Sequence, residues 1–286
     1  MRLFRNLANR TFVLGVGAQK AGTTWLLDYL GRHPEVAMSP IKGLHYFDQI
    51  HRADLCGMWP KRFEGHAFNL IGEIANGGKG SLSRLQTLID RVRMNEDPEA
   101  YLEYFDRLAS HDRPVVGEIT PSYSLLPEEG FAAARRMIVG AGAVPRVVFV
   151  MRDPVERFWS QCRFEAGLPP LRTPQAVLES AIDDRGYHER SRYDLTVTRL
   201  KAVFPPGELL LLFYEDLFQA PSIERLCDFL GIAFVALNGT QRIHASVEGS
   251  LDPALRRRLR DLLAPVYAFA EAEFGSAVPA AWHAAP

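Results

Sequence analysis

The chain has 286 residues, 47% of them hydrophobic and 23% charged, with a formal net charge of −1. That suits one large α/β domain or two small ones, and it removes any electrostatic case for nucleic acid or an acidic membrane. Cys56, Cys162 and Cys227 are odd in number and make no C-x-x-C pair, which favours a reducing compartment and speaks against a zinc site. No stretch approaches the ~20 apolar residues of a membrane span. No signal-like apolar segment follows the basic N-terminus, so a cytoplasmic location is expected.

In chain order, Phe12 to Val16 reads as a short buried strand, and Gly15, Gly17 and Gly22 flank a tight loop. Thr23 to Leu30 reads as a helix with Leu26, Leu27 and Leu30 on one face, stopped by Gly31 and Pro34. A strand, a glycine loop and a helix N-terminus make an anion site. Gly17 and Gly22 have Walker A spacing, but Thr23 stands where the lysine of a nucleotide triphosphatase belongs, and Lys20 lies inside the loop. The loop therefore suits a phosphate-like group and is wrong for ATP with Mg²⁺.

Glu35 to Met38 is a second short strand, and Ser39 to Asp48 is a loop at the carboxyl end of the sheet, where open α/β folds place ligands. Asp54 to Gly80, with Trp59, Pro60 and a Gly77-Gly78 pair, reads as a loop-rich insertion. Two helices are expected next: Ser81 to Arg93, and one opened by Asp97 and Pro98. Val115 to Tyr123 reads as a strand and turn, and Arg146 to Met151 as a strand covered on both faces. In Arg152-Asp153-Pro154-Val155-Glu156, Asp153 is an N-cap, Pro154 fits N1 and Glu156 completes a capping box. Ser160 lies two turns on, so Arg152 and Ser160 can converge on one anion. Tyr193 to Val203 is a helix, Leu209 to Phe213 a buried strand, and Ile223 to Gly231 a helix. Leu251 to Phe274 forms one or two helices broken at Pro265, and the tail from Ser276 is expected to be flexible. Residues 1–286 are thus expected to form one domain: an α/β, P-loop-like parallel sheet of about five strands with helices on both faces.

Gln19-Lys20-Ala21-Gly22-Thr23-Thr24-Trp25 resembles the 5′-phosphosulfate loop of sulfotransferases, enzymes that use 3′-phosphoadenylyl sulfate (PAPS) as donor. His45-Tyr46-Phe47-Asp48, Glu118-Ile119-Thr120-Pro121-Ser122-Tyr123, Arg152-Asp153-Pro154 and Tyr214-Glu215-Asp216-Leu217 resemble the same family in the right order. The resemblance, in the style of bacterial relatives of the carbohydrate sulfotransferases, spans nearly the whole chain. It implies transfer of a sulfuryl group to a hydroxyl or amine of a saccharide or small molecule, with no metal required. It implies that Lys20, Ala21, Gly22, Thr23, Thr24 and Trp25 hold the 5′ side of the donor, that Arg152 and Ser160 hold its 3′-phosphate, and that Lys20 also serves the chemistry. Lys42 and Asp48 are candidates for acceptor binding. Relatives commonly carry a glutamate base where this chain has Gly43, so His45 is the first candidate for the base and Glu118 the second. Gln241 to His244 falls roughly where relatives close a loop over the donor. The readings that compete are a non-catalytic nucleotide-binding relative, kept open by Gly43, and a P-loop kinase.

Overall fold

The structure, a computed structural model, describes residues 4–109, 113–236, 247 and 249–283. Five strands form its sheet: β1 (Thr11–Gly17), β2 (Val36–Met38), β3 (Val115–Ile119), β4 (Val144–Met151) and β5 (Leu209–Phe213). Their order is β2-β3-β1-β4-β5 and every pairing is parallel. The strands of the sheet centre are buried without alternation, as a sheet covered on both faces requires. The expected architecture is therefore the one observed.

The helices are α1 (Thr23–Arg32), α2 (Phe47–His51), α3 (Ala53–Cys56), α4 (Trp59–Ala75), α5 (Leu82–Arg93), α6 (Glu99–Leu108) and α7 (Glu128–Gly140). After β4 come α8 (Pro154–Ala166), α9 (Pro174–Ala181), α10 (Arg185–Glu189) and α11 (Tyr193–Val203). After β5 come α12 (Ala220–Leu230), α13 (Pro253–Leu262) and α14 (Ala264–Phe274). The crossovers β1-α1-β2 and β3-α7-β4 run in opposite directions along the sheet. Right-handed connections then place α1 and α7 on opposite faces. The order reverses at β1, so the crevice outside the carboxyl ends of β1, β3 and β4 is where a ligand belongs.

Two expectations fail. The stretch 54–80 is no loop: α4 fills most of it, with Pro60 in its first turn, where a missing N–H costs nothing. Helix α4 packs on α5 around Phe63, Ala67, Leu70 and Leu88 in a small satellite core. The tail is held as far as the structure describes it. Trp282 is 1% exposed, set against Tyr193, Phe213 and Tyr267, and its carbonyl accepts from Arg260 Nη2 at 2.8 Å. A smaller difference is that α1 runs through Gly31 to Arg32 and stops before Pro34. Gln241 to His244 lies outside the described residues. No helix among the described residues is long and apolar enough to cross a membrane.

Candidate active site

The loop after β1 is pinned to the neighbouring strand, Ala18 N–H donating to Val150 O at 2.7 Å. Lys20 (φ +70) and Gly22 (φ +80) both sit in the left-handed region, and Gly22 is the N-cap of α1. A Cβ on Gly22 would meet Leu217 Cδ2 at 2.8 Å and Tyr214 Cδ2 at 3.1 Å. The Tyr214–Leu217 turn therefore supports the loop from beneath, and glycine is needed for both space and backbone angle. Leu26 N–H is bonded to Gly22 O at 3.0 Å, so Thr23, Thr24 and Trp25 form the helix's open N-terminal turn, the positive end of its dipole.

Cations gather around this turn. Lys20 Nζ lies 4.2 Å from the centre of the Phe164 ring. Burial, then the charges of Lys42, Arg152, Arg163 and Arg157, lower its pKa to about 8. Lys42 donates to Thr24 Oγ1, and burial lowers its pKa too. Arg152 Nη1 donates to Lys20 O at 3.1 Å while its guanidinium covers the Tyr214 ring at 4.6 Å. Its nearest carboxylate, Glu156, is 3.9 Å away. Arg163 Nε and Gln19 Oε1 are buried without a hydrogen-bond partner among the described residues. Cations that depress one another's protonation are held together at a cost that an anion would relieve. The donor set thus fits a multiply charged phosphate ester.

Helix α8 opens on the expected N-cap, Asp153 Oδ1 accepting from Glu156 N–H at 2.9 Å, but Asp153 N–H donates to Glu215 Oε1 at 2.9 Å, so Glu156 does not complete the expected capping box. Phe164 faces Lys20, and Ser160 stands one turn before it, so the same face carries Ser160 and Arg163 toward the loop. Arg163 is a residue the sequence reading missed; its spacing of three from Ser160 is the signal that would have found it.

A second loop lies along β3 and the turn after it. Ser39 N–H donates to Gly117 O at 2.8 Å and Gly43 N–H to Ile119 O at 3.1 Å. Leu44 N–H donates to Thr120 Oγ1 at 2.9 Å and Tyr46 N–H to Tyr123 Oη at 3.1 Å. His45, in the left-handed region at φ +52, stacks on Trp59 at 3.7 Å with the ring planes 10° apart. Its Nδ1 lies 2.6 Å from Asp48 Oδ2. An ionised carboxylate only accepts, so Nδ1 carries a proton, and in the neutral ring the lone pair is on Nε2. Nε2 faces Gly43, whose φ is +74 and on which a Cβ would stand 3.0 Å from that nitrogen.

Glu118 is fully buried below this loop. Its Oε1 accepts from Tyr101 at 2.7 Å and Tyr123 at 2.9 Å, and its Oε2 from Thr120 at 2.6 Å. Burial raises its pKa to about 7 against the lowering effect of those three hydroxyls. Glu118, the second candidate for the base, is thus enclosed with both carboxylate oxygens occupied by hydroxyls. Lys42 meets Thr24 on the anion loop, and Asp48, 0% exposed, lies against His45 Nδ1. Trp25 is packed by Tyr29 and Phe218, and Ala21 gives its N–H to Ala18 O. Lys20, Gly22, Thr23, Thr24, Lys42 and Arg152 come together; Lys42 joins them to the His45 loop.

Residues 142–252 match the sulfotransferase domain family. The matched stretch takes in β4, Arg152, Ser160 and β5 and leaves the first loop outside it. The resemblance to sulfotransferases is borne out by that match and by the fold. A crystal structure of a sulfotransferase from Alicyclobacillus acidocaldarius is 22% identical, covering 96% of this chain and 99% of that one with a TM-score of 0.62. A sulfotransferase domain from the Synechococcus PCC 7002 olefin synthase is 18% identical over 88% of each chain, with a TM-score of 0.44. No curated protein sequence matches.

Proposed function

We propose that the protein transfers a sulfuryl group from PAPS to a hydroxyl or amine of a saccharide or small-molecule acceptor. The observation that carries this reading is the cluster of Lys20, Lys42, Arg152 and Arg163 around an open helix N-terminus in a chain that matches the sulfotransferase domain. The donor supplies an activated sulfate whose bond to the 5′-phosphate breaks; the chain supplies position and charge. Thr23 and Thr24, with the open N–H groups of α1, hold the 5′-phosphate. Arg152 and Ser160 hold the 3′-phosphate. Lys20 neutralises charge that grows on the leaving oxygen, so its contact strengthens in the transition state. His45 Nε2 takes the acceptor proton, with Nδ1 fixed by Asp48.

The test is incubation with PAPS and EDTA across a panel of saccharides, phenols and amines, read by mass spectrometry for an added sulfate. ATP with Mg²⁺ serves as the competing donor. Sulfated product from PAPS supports the proposal. Phosphorylated product from ATP would favour a kinase, and donor binding without transfer to any acceptor would favour a non-catalytic relative.

A further inference from the structure

Four peptide groups around His45 are held by side chains. Thr120 Oγ1 and Tyr123 Oη accept from the N–H groups of Leu44 and Tyr46. Arg91, 0% exposed, donates through Nε to Leu44 O and through Nη2 to His45 O at 3.0 Å. Its guanidinium also reaches Asn95 Oδ1 and Gln49 Oε1, both at 2.6 Å, and its face covers the Phe63 ring at 4.6 Å. Thr120 and Tyr123 each accept from the loop and donate to Glu118. The carboxylate therefore fixes which way both hydroxyls point, leaving their lone pairs for the loop. Without it, either hydroxyl could turn its proton toward the N–H it now serves. A non-glycine residue at φ +52 persists only where its surroundings over-determine it.

We propose that Glu118 and Arg91 are positioning residues: from opposite sides of the backbone they hold the Leu44–Tyr46 segment so that His45 Nε2 faces the acceptor. The proposal rests on the reading of His45 as the base. It gives a task to two fully buried ionisable groups.

The test uses Tyr123→Phe, which removes one oxygen from the relay, and Glu118→Gln. Each is made in the full chain and again in a His45→Ala background. Readouts are kcat, KM for PAPS, calorimetric affinity for adenosine 3′,5′-bisphosphate, and melting temperature. Expected is a fall in kcat of about 10- to 100-fold, the cost of displacing a reacting group by about an ångström. Affinity for the bisphosphate should stay within about twofold, because the donor loop is untouched. In the His45→Ala background the further loss should vanish, since no base is left to misplace. Tyr123→Phe is the variant to rely on if Glu118→Gln does not fold. Wild-type kcat in folded variants would overturn the proposal, as would equal losses in both backgrounds, which mark general destabilisation. A fully active His45→Ala enzyme would overturn the base reading, and this proposal with it; an impaired His45→Ala beside an active Tyr123→Phe overturns this proposal alone.

Discussion

His45 Nε2 looks onto Gly43, and a Cβ on that glycine would stand 3.0 Å from the nitrogen. The two positions therefore depend on each other: the absence of a side chain at 43 leaves the imidazole nitrogen open. A glutamate at 43 would meet both a left-handed backbone and an occupied space. Gly43→Glu should lower stability by about 1–3 kcal/mol and reduce kcat/KM rather than improve it. Thermal melting and steady-state kinetics check this. An active, undiminished Gly43→Glu enzyme would mean that the carboxylate has taken over as base.

Lys20 is held at about 8 by burial and by Lys42, Arg152 and Arg163. A bound anion favours its charged form, so donor binding must draw in a proton once the free site has lost one. Affinity for adenosine 3′,5′-bisphosphate should be flat below pH 8 and fall by up to about tenfold per pH unit above it. Calorimetry in buffers of different ionisation enthalpy should show proton uptake above pH 8 and little below pH 7. Lys20→Ala should abolish that uptake and lower kcat more than it weakens bisphosphate binding.

The central strands, the first loop and the Arg152 helix start were legible because their signals are local. Apolar runs, a glycine loop and an Asp N-cap followed by proline each report on a few consecutive residues. Helix α4 was hidden by Pro60, read as a break although it lies in the first turn, and by the Gly77-Gly78 pair, which lies just past the helix end. Burial of Trp282 depends on Tyr193 and Phe213, far away in sequence, and nothing in an Ala/Pro-rich tail announces it. The candidate site divides in the same way. Lys20 and Arg152 were found by motif. The turn of Lys42 toward Thr24, the pairing of Asp48 with His45 and the enclosure of Glu118 are tertiary facts.

Glu118 carries a carboxyl pKa raised from 4.5 to about 7, so the folded state holds a proton that the unfolded state releases at lower pH. The stability this contributes is fully present below pH 4.5 and is lost as pH rises through 7. The loss is about 3 kcal/mol, because a tenfold change in proton affinity is worth about 1.4 kcal/mol. Glu118→Gln should lack this decline, so the stability difference between variant and wild type should change by about that amount between pH 4.5 and 8. Denaturant unfolding at a series of pH values measures it; a constant difference would show that Glu118 stays ionised throughout.

Trp282 supports Tyr193, whose hydroxyl donates to Arg152 O at 3.0 Å. Trp282→Ala should cost about 3–5 kcal/mol, the usual loss for a large buried aromatic. Bisphosphate affinity should weaken at the same time, because the Arg152 turn loses its backing. Chemical denaturation and calorimetry check both, and an unchanged midpoint would restore the flexible tail expected from the sequence.

Calorimetric titration of the protein with adenosine 3′,5′-bisphosphate and with AMP, at pH 7, tests most directly whether this is a PAPS site. The two ligands differ only in the 3′-phosphate assigned to Arg152 and Ser160. Charge-assisted hydrogen bonds of ~1.5–3 kcal/mol each should make the bisphosphate bind on the order of 10²–10⁴ times more tightly. Arg152→Ala should remove most of that preference and weaken AMP binding by a smaller factor, because Arg152 Nη1 also holds Lys20 O in the first loop. Equal affinity for the two nucleotides in the wild-type protein would contradict the assignment of the 3′-phosphate, and with it the choice of PAPS as donor.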